Sequence, residues 1–189
     1  LLATRPNQVW TWDITRLAGP AKWIGFCLYV LLDLFSRFVV GWLIAERESA
    51  ALAEQLIDES AARQGIALGQ LHLHSDRGGP MTAKSLALGF AHLGVKPSLA
   101  RPHTPDDNPF SEAQFKTAKY HPTFPDRFGS LIDVRTWCGQ FFHWYNYQHY
   151  HTPLGLMTPA AVHSARLKPC SSNAGASCIR LVPPILTAL

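Results

Sequence analysis

No apolar stretch of this sequence is long enough to cross a bilayer. The longest, Trp23 to Phe35, falls short of the ~20 residues a spanning helix needs and already contains Asp33. A secretory signal is also missing, because Leu1-Leu2-Ala3 gives way at once to Thr4-Arg5-Pro6-Asn7-Gln8. Both absences predict a soluble, cytoplasmic chain with no membrane partner. Cysteine is scarce. Cys27, Cys138, Cys170 and Cys178 show no short paired spacing of the zinc type, so they are expected as free thiols in a reducing compartment. Charge is thin as well: 16% of residues are charged and the net charge is +4. That excludes a histone-like tail and permits a phosphate-bearing partner without demanding one. There is no internal repeat. The chain does not open on Met, as expected of a fragment or a downstream reading frame.

What is present is apolar content, 47% of 189 residues, enough for one domain with a sizeable core. Val9 to Leu17 alternates. Val9, Thr11, Asp13, Thr15 and Leu17 face one way, and Trp10, Trp12, Ile14 and Arg16 the other, which is the period of a strand. Gly19-Pro20 ends it. Lys22 to Leu34 reads as a buried second strand and Phe38 to Ala45 as a third, the three forming an antiparallel meander. Ser49 to Gln64 turns helical, with Ser49 as N-cap and Gly65 as stop. Leu71 to Ser75 is a short strand that ends at Asp76. A helix over Thr82 to His92 and a strand over Val95 to Leu99 come next in the chain. Asn108-Pro109 opens a helix running to about Tyr120, and Val134 to Tyr150 forms a long aromatic one. Helices crossing between the later strands imply a mixed α/β sheet.

Three acids fall where a sheet-based site would want them. Asp13 lies mid-strand, where a buried unpaired charge is costly. Asp76 follows a strand at its carboxyl end, where open α/β sheets place ligands. Glu112 falls in the first turn of a helix, whose dipole favours the ionised form. Taken singly, each acid also fits a turn or cap. Taken together, a few carboxylates suit Mg²⁺ or Mn²⁺, which bind oxygen and retain water. Two such ions can stabilise both the attacking and the leaving oxygen of an in-line phosphoryl displacement. Three carboxylates and one phosphodiester balance the charge of two divalent cations.

Val9-Trp10-Thr11-Trp12-Asp13-Ile14-Thr15, His74-Ser75-Asp76-Arg77-Gly78 and Asp107-Asn108-Pro109-Phe110-Ser111-Glu112-Ala113 resemble the three acidic motifs of the DDE integrase core. They look most like those of bacterial insertion-sequence transposases of the IS-three type. The 35 residues between Asp76 and Glu112 match the spacing that gives this group its usual name. Asp33-Leu34-Phe35-Ser36-Arg37-Phe38-Val39-Val40-Gly41-Trp42 resembles the junction of the second and third strands. Trp144-Tyr145-Asn146, His151-Thr152-Pro153-Leu154-Gly155 and Thr158-Pro159-Ala160 resemble the end of the core. The resemblance covers residues 5–165. It implies a ribonuclease H-like fold with a mixed five-stranded sheet flanked by helices. It also implies Mg²⁺ as cofactor (Mn²⁺ substituting, two ions), held by Asp13, Asp76 and Glu112. The implied reaction is cleavage and strand transfer of DNA at element ends, attacked first by water and then by a DNA 3′-hydroxyl. The partners implied are element-end and target DNA and further copies of the chain. The family's upstream helix-turn-helix region is missing from this sequence. The tail, residues 166–189, no longer resembles the family and fits a truncated or frameshifted end.

Lys116 and Lys119 share the helix face of Glu112. Either is a candidate phosphate contact; Lys116 equally suits an i, i+4 pair with Glu112. Lys119 matches the family's basic residue seven after the glutamate. Arg101 and His103, in the loop before that helix, are further candidate DNA contacts. His72 and His74 share the strand face of Asp76 and could bind zinc, although neutral hydrogen-bonded histidines are commoner. Asp33 reads as a strand-end residue rather than a fourth ligand. The run from Phe141 to Tyr150 reads as core packing before base stacking. Two other functions stay open: a remnant that binds DNA or a full-length partner without catalysis, and a ribonuclease acting on RNA–DNA hybrids.

Overall fold

The computed structural model describes residues 2–67, 69–75, 96–99 (backbone) and 109–165. Among these residues, five strands form one sheet: β1 (Val9–Ala18), β2 (Gly25–Asp33), β3 (Val39–Ala45), β4 (His72–Ser75) and β5 (Lys96–Leu99). Their order across the sheet is β3-β2-β1-β4-β5. The meander β1-β2-β3 is antiparallel, whereas β4 runs parallel to β1 and β5 parallel to β4. This is the mixed sheet the element order predicts. Among the same residues, four α-helices accompany it: α1 (Ala50–Arg63), α2 (Pro109–Lys119), α3 (Leu131–Tyr147) and α4 (Pro159–Ala165). Among the described residues, no helix is long and apolar enough to cross a membrane.

The alternation along β1 divides the core in two. Trp10 and Trp12 are buried on one face with Tyr29, Leu31, Leu73 and the apolar side of α1. Leu17 is buried on the other face with Leu28, Val30, Leu32 and residues of α2 and α3. Each fully buried large side chain contributes on the order of 1.5–3 kcal/mol. The α1 face closes tightly, because a Cβ at Gly41 of β3 would collide with Ser60 Oγ on the helix. The aromatic helix α3 is mostly core, as its composition predicts: Phe141, Phe142 and Tyr145 are buried, whereas Tyr147 and Tyr150 are exposed. Burial pushes the Cys138 thiol up to about 12, so this cysteine is an inert packing residue. Cys27 is likewise free and buried. At the sheet's outer strand, the Asn146 amide of α3 accepts from Val39 N–H at 2.9 Å and donates to Val39 C=O at 3.1 Å.

Some boundaries differ from expectation. β2 begins at Gly25 rather than Lys22, because Trp23 has φ 75° and cannot continue an extended strand. Helix α3 begins at Leu131, where Ser130 Oγ accepts from Asp133 N–H at 3.2 Å, and it ends at Tyr147 rather than Tyr150. Ser49 does stand at the N-cap of α1, but its hydroxyl caps nothing. Its N–H instead donates to Tyr29 Oη at 2.7 Å, anchoring the helix start to β2. Gly65, at φ 63°, ends α1 as expected. The expected helix over Thr82 to His92 and the tail 166–189 lie outside the described residues.

Candidate active site

Asp13 stands in the middle of β1, half-buried, on the strand face shared with Thr11 and Thr15. Trp10 and Trp12 point the opposite way into the dry layer under α1, so the acid is not enclosed with them. Its Oδ1 accepts from Ile14 N–H at 2.7 Å, a contact that fixes the carboxyl's orientation on the sheet. In the parallel ladder, Thr11 pairs His74 and Trp12 pairs Ser75, where β4 ends. The next residue in each strand is an aspartate, Asp13 and Asp76. Asp76 lies outside the described residues, as do Arg101 and His103.

Helix α2 lies along the same face of β1 and is tied to it on either side of Asp13. Thr11 Oγ1 and Ser111 Oγ are 3.3 Å apart and share a buried hydrogen bond. Further along, Lys119 Nζ donates to Thr15 Oγ1 at 2.8 Å. Four strand residues rise ~13 Å and eight helical residues ~12 Å, so the two ties hold helix and strand side by side in the same direction. The buried side of α2 is Ser111, Gln114, Phe115 and Ala118. Glu112, Lys116 and Lys119 occupy the neighbouring exposed flank. At 3.6 residues per turn, Glu112 and Lys119 fall within about 20° of each other on that helix. The flank whose lysine reaches Thr15 therefore also carries Glu112, which comes directly after the residue tied to Thr11. The result is a carboxylate on the strand, a carboxylate in the helix's first turn, and two lysines further down the same flank. Such a surface can hold divalent cations and a phosphate chain together.

Neither Thr11 nor Thr15 stands out in the sequence as a site residue, although the signal is there: both lie two residues from Asp13 in an alternating strand. Gln114 is likewise silent in the sequence. It is 2% exposed, and neither its Oε1 nor its Nε2 has a hydrogen-bond partner. His72 and His74 are half-buried on β4, with His74 opposite Thr11.

Asp33 has a different setting, one that fits the strand-end reading. It is fully buried at the end of β2. Its Oδ2 accepts from Asn7 N–H at 2.7 Å, and its Oδ1 accepts from Ser36 N–H at 2.8 Å and Ser36 Oγ–H at 2.7 Å. Ser36 Oγ lies 2.9 Å from His163 Nδ1, and His163 Nε2 lies 3.0 Å from Gln64 Oε1. Serine, histidine and aspartate thus meet as they would in a hydrolase, yet all three are closed to solvent. The group joins the N-terminal segment, the β2–β3 turn, the end of α1 and helix α4, which makes it a structural clasp.

Sheet order, helix placement and the acid-bearing face of β1 define a ribonuclease H-like domain of the integrase type. The chain belongs to the integrase core domain family: one model of that description matches residues 3–105 and a second matches residues 93–159. It is 32% identical over 117 residues to the transposase for insertion sequence element IS904 of Lactococcus lactis, covering 62% of this chain and 45% of that protein. It is 26% identical over 166 residues to transposase InsF for insertion sequence IS3A of Escherichia coli, covering 87% of this chain and 57% of that protein. The chain thus spans about half the length of these curated relatives. Among solved structures, it is similar to the HTLV-2 integrase catalytic core domain in complex with magnesium. That match has TM-score 0.65 and 17% identity, over 86% of this chain and 99% of that one. It is also similar to a chain of the simian T-cell lymphotropic virus intasome, with TM-score 0.68 and 20% identity, over 94% of this chain and 62% of that one.

Proposed function

We propose that residues 5–165 are the catalytic core of an insertion-sequence transposase that cleaves DNA at element ends and joins the freed 3′ end to target DNA. The observation that carries this reading is the β1–β4 register. Trp12 pairs Ser75, and an aspartate comes after each of them, beside the helix that presents Glu112. The donor set fits magnesium, because it consists of carboxylate oxygens, and the two described members, Asp13 and Glu112, are accessible. Asp13, Asp76 and Glu112 would hold two Mg²⁺ ions, or Mn²⁺ in their place, which would supply positive charge to an in-line phosphoryl displacement.

The chain's own residues do the rest. Ile14 N–H keeps the Asp13 carboxyl turned to one side, and the first turn of α2 presents Glu112 on the exposed flank. Lys119, set by Thr15, and Lys116 hold the phosphate backbone; Arg101 and His103 add contacts ahead of the helix. The phosphorus is attacked by water in cleavage and by a DNA 3′-hydroxyl in joining, so no side chain bonds covalently to DNA. Relatives named as transposases are about twice as long, and an upstream helix-turn-helix segment, in the same protein or in a partner, would take part in end recognition. Bringing two ends together requires copies of the chain to assemble on DNA, which for a bacterial element places the reaction in the cytoplasm.

Calorimetric titration with Mn²⁺, paired with nicking of duplex DNA, tests this. Saturable binding and nicking that are both lost in Asp13→Asn, Asp76→Asn and Glu112→Gln are expected. Folded variants that bind Mn²⁺ as the parent does would overturn the assignment. A folded parent that binds DNA but no Mn²⁺ would mark a non-catalytic remnant.

A further inference from the structure

The tip of the β1–β2 hairpin presents a tryptophan to solvent in a strained conformation. Trp23 is 89% exposed with φ 75°, a region that bulky side chains enter at a cost on the order of 1–3 kcal/mol. The tip is nevertheless well built. Gly19 N–H donates to Ile24 C=O at 2.9 Å, and Ile24 N–H donates to Ala21 C=O at 3.1 Å. Lys22 Nζ lies 5.2 Å from the centre of the Trp23 ring. Neither core cluster includes this indole.

The tip also ends a line of cations that starts at the candidate carboxylates. Lys119 touches Thr15 of β1. After α2, the chain keeps to the same strand: Phe128 N–H donates to Ala18 C=O at 2.9 Å, and Arg127 donates to Gly19 C=O at 3.1 Å. Lys116, Lys119, Arg127 and Lys22 are all exposed along this path, with Asp126 the only acid in the sequence between Glu112 and Asp133. Arg16, which alternation puts on the α1 side of β1, lines a hollow together with Trp23 and Ile24 and so adds a cation near the indole from the other face. An exposed indole at the end of a basic track matches single-stranded nucleic acid, whose bases stack on aromatic rings while cations track the phosphates.

We propose that Lys22 and Trp23 form a DNA contact, the indole stacking on an unpaired or frayed base and the ammonium holding the adjoining phosphate. Asp13 and Ala18 are five residues apart, about 17 Å of strand, and the tip that carries Lys22 and Trp23 lies beyond Ala18. The contact therefore falls several nucleotides from the reacting phosphate. This rests on the reading of the chain as a DNA strand-transfer core, but its test does not depend on catalysis.

Binding of a fluorescent 20-nucleotide single strand to the intact chain is measured in EDTA over a salt series. Trp23→Ala is expected to weaken binding about 5- to 100-fold, with Trp23→Phe restoring most of it. Lys22→Ala is expected to reduce the slope of log affinity against log salt by about 0.7. In metal, 5-iodouracil placed at successive positions about two to eight nucleotides from the nick should give a crosslink to the peptide holding Trp23 at one or two of them. Trp23→Ala binding within twofold of the parent, with an unchanged thermal midpoint, would overturn the inference, as would self-association lost in Trp23→Ala while DNA binding holds. Loss of nicking in Asp13→Asn beside normal Trp23→Ala binding would spare the catalytic reading and sink only the hairpin contact.

Discussion

Asp13 and Asp33 sit on neighbouring strands of one sheet, and their surroundings are opposite. Asp33 is closed to solvent and accepts from two backbone N–H groups and a hydroxyl inside a clasp that gathers four segments. Asp13 is half-open, on a strand face that α2 flanks with a glutamate and two lysines. A fully buried carboxylate held by protein donors suits a fold-holding role, whereas a part-exposed one beside a second carboxylate and two lysines suits a cation. Residue type alone does not separate these roles; burial and the neighbouring charges do.

The largest effect should come from the open acid. Asp13→Asn or Glu112→Gln should lower Mn²⁺-dependent nicking about a thousandfold while leaving the metal-free thermal midpoint unchanged or slightly raised, because clustered negative charge is relieved. If instead Asp13→Asn unfolded the chain, the contrast with Asp33 would break. The closed acid should act on stability. Asp33→Ala strands two buried N–H groups and a hydroxyl and should cost about 3–4 kcal/mol in urea unfolding, with Mn²⁺ affinity preserved in the folded fraction. Next, Lys119→Ala should cut the salt slope of duplex binding by about 0.9 without changing sequence preference, which anisotropy over a salt series measures.

The smallest effect lies away from both acids. Burial, and then the neighbouring charges of His149 and Arg37, lower the His151 pKa from 6.5 to about 4. The folded state therefore binds fewer protons than the unfolded chain between these values. Stability should be intact above pH 6.5 and decline as pH falls toward 4. Thermal midpoints of the parent and His151→Gln, compared across that window, should converge at the acid end.

Much of this was legible in the residues. Alternation placed β1 and divided its two faces, and the three acidic motifs, in order and spacing, pointed to the family. The start of β2 is not legible, because Lys22-Trp23-Ile24 has a strand's composition; only the backbone shows Trp23 turning out. The clasp escaped for another reason. Ser36 and His163 are 127 residues apart, and no local pattern announces a contact made by tertiary folding. The ties at Thr11 and Thr15 lie between these cases: the period placed both threonines beside Asp13, but not the helix that meets them.

The Asn146 amide on Val39 has a consequence for the molecule's company. β3 is an outermost strand, and its unpaired backbone could template a strand from any passing chain. By filling both the donor and the acceptor position of Val39, a side chain stands in for that strand and ends the ladder there. Asn146→Asp would keep the shape and lose the donor, leaving a carbonyl open at the rim. The same residue that fastens α3 to the sheet thus also occupies the first position of that rim.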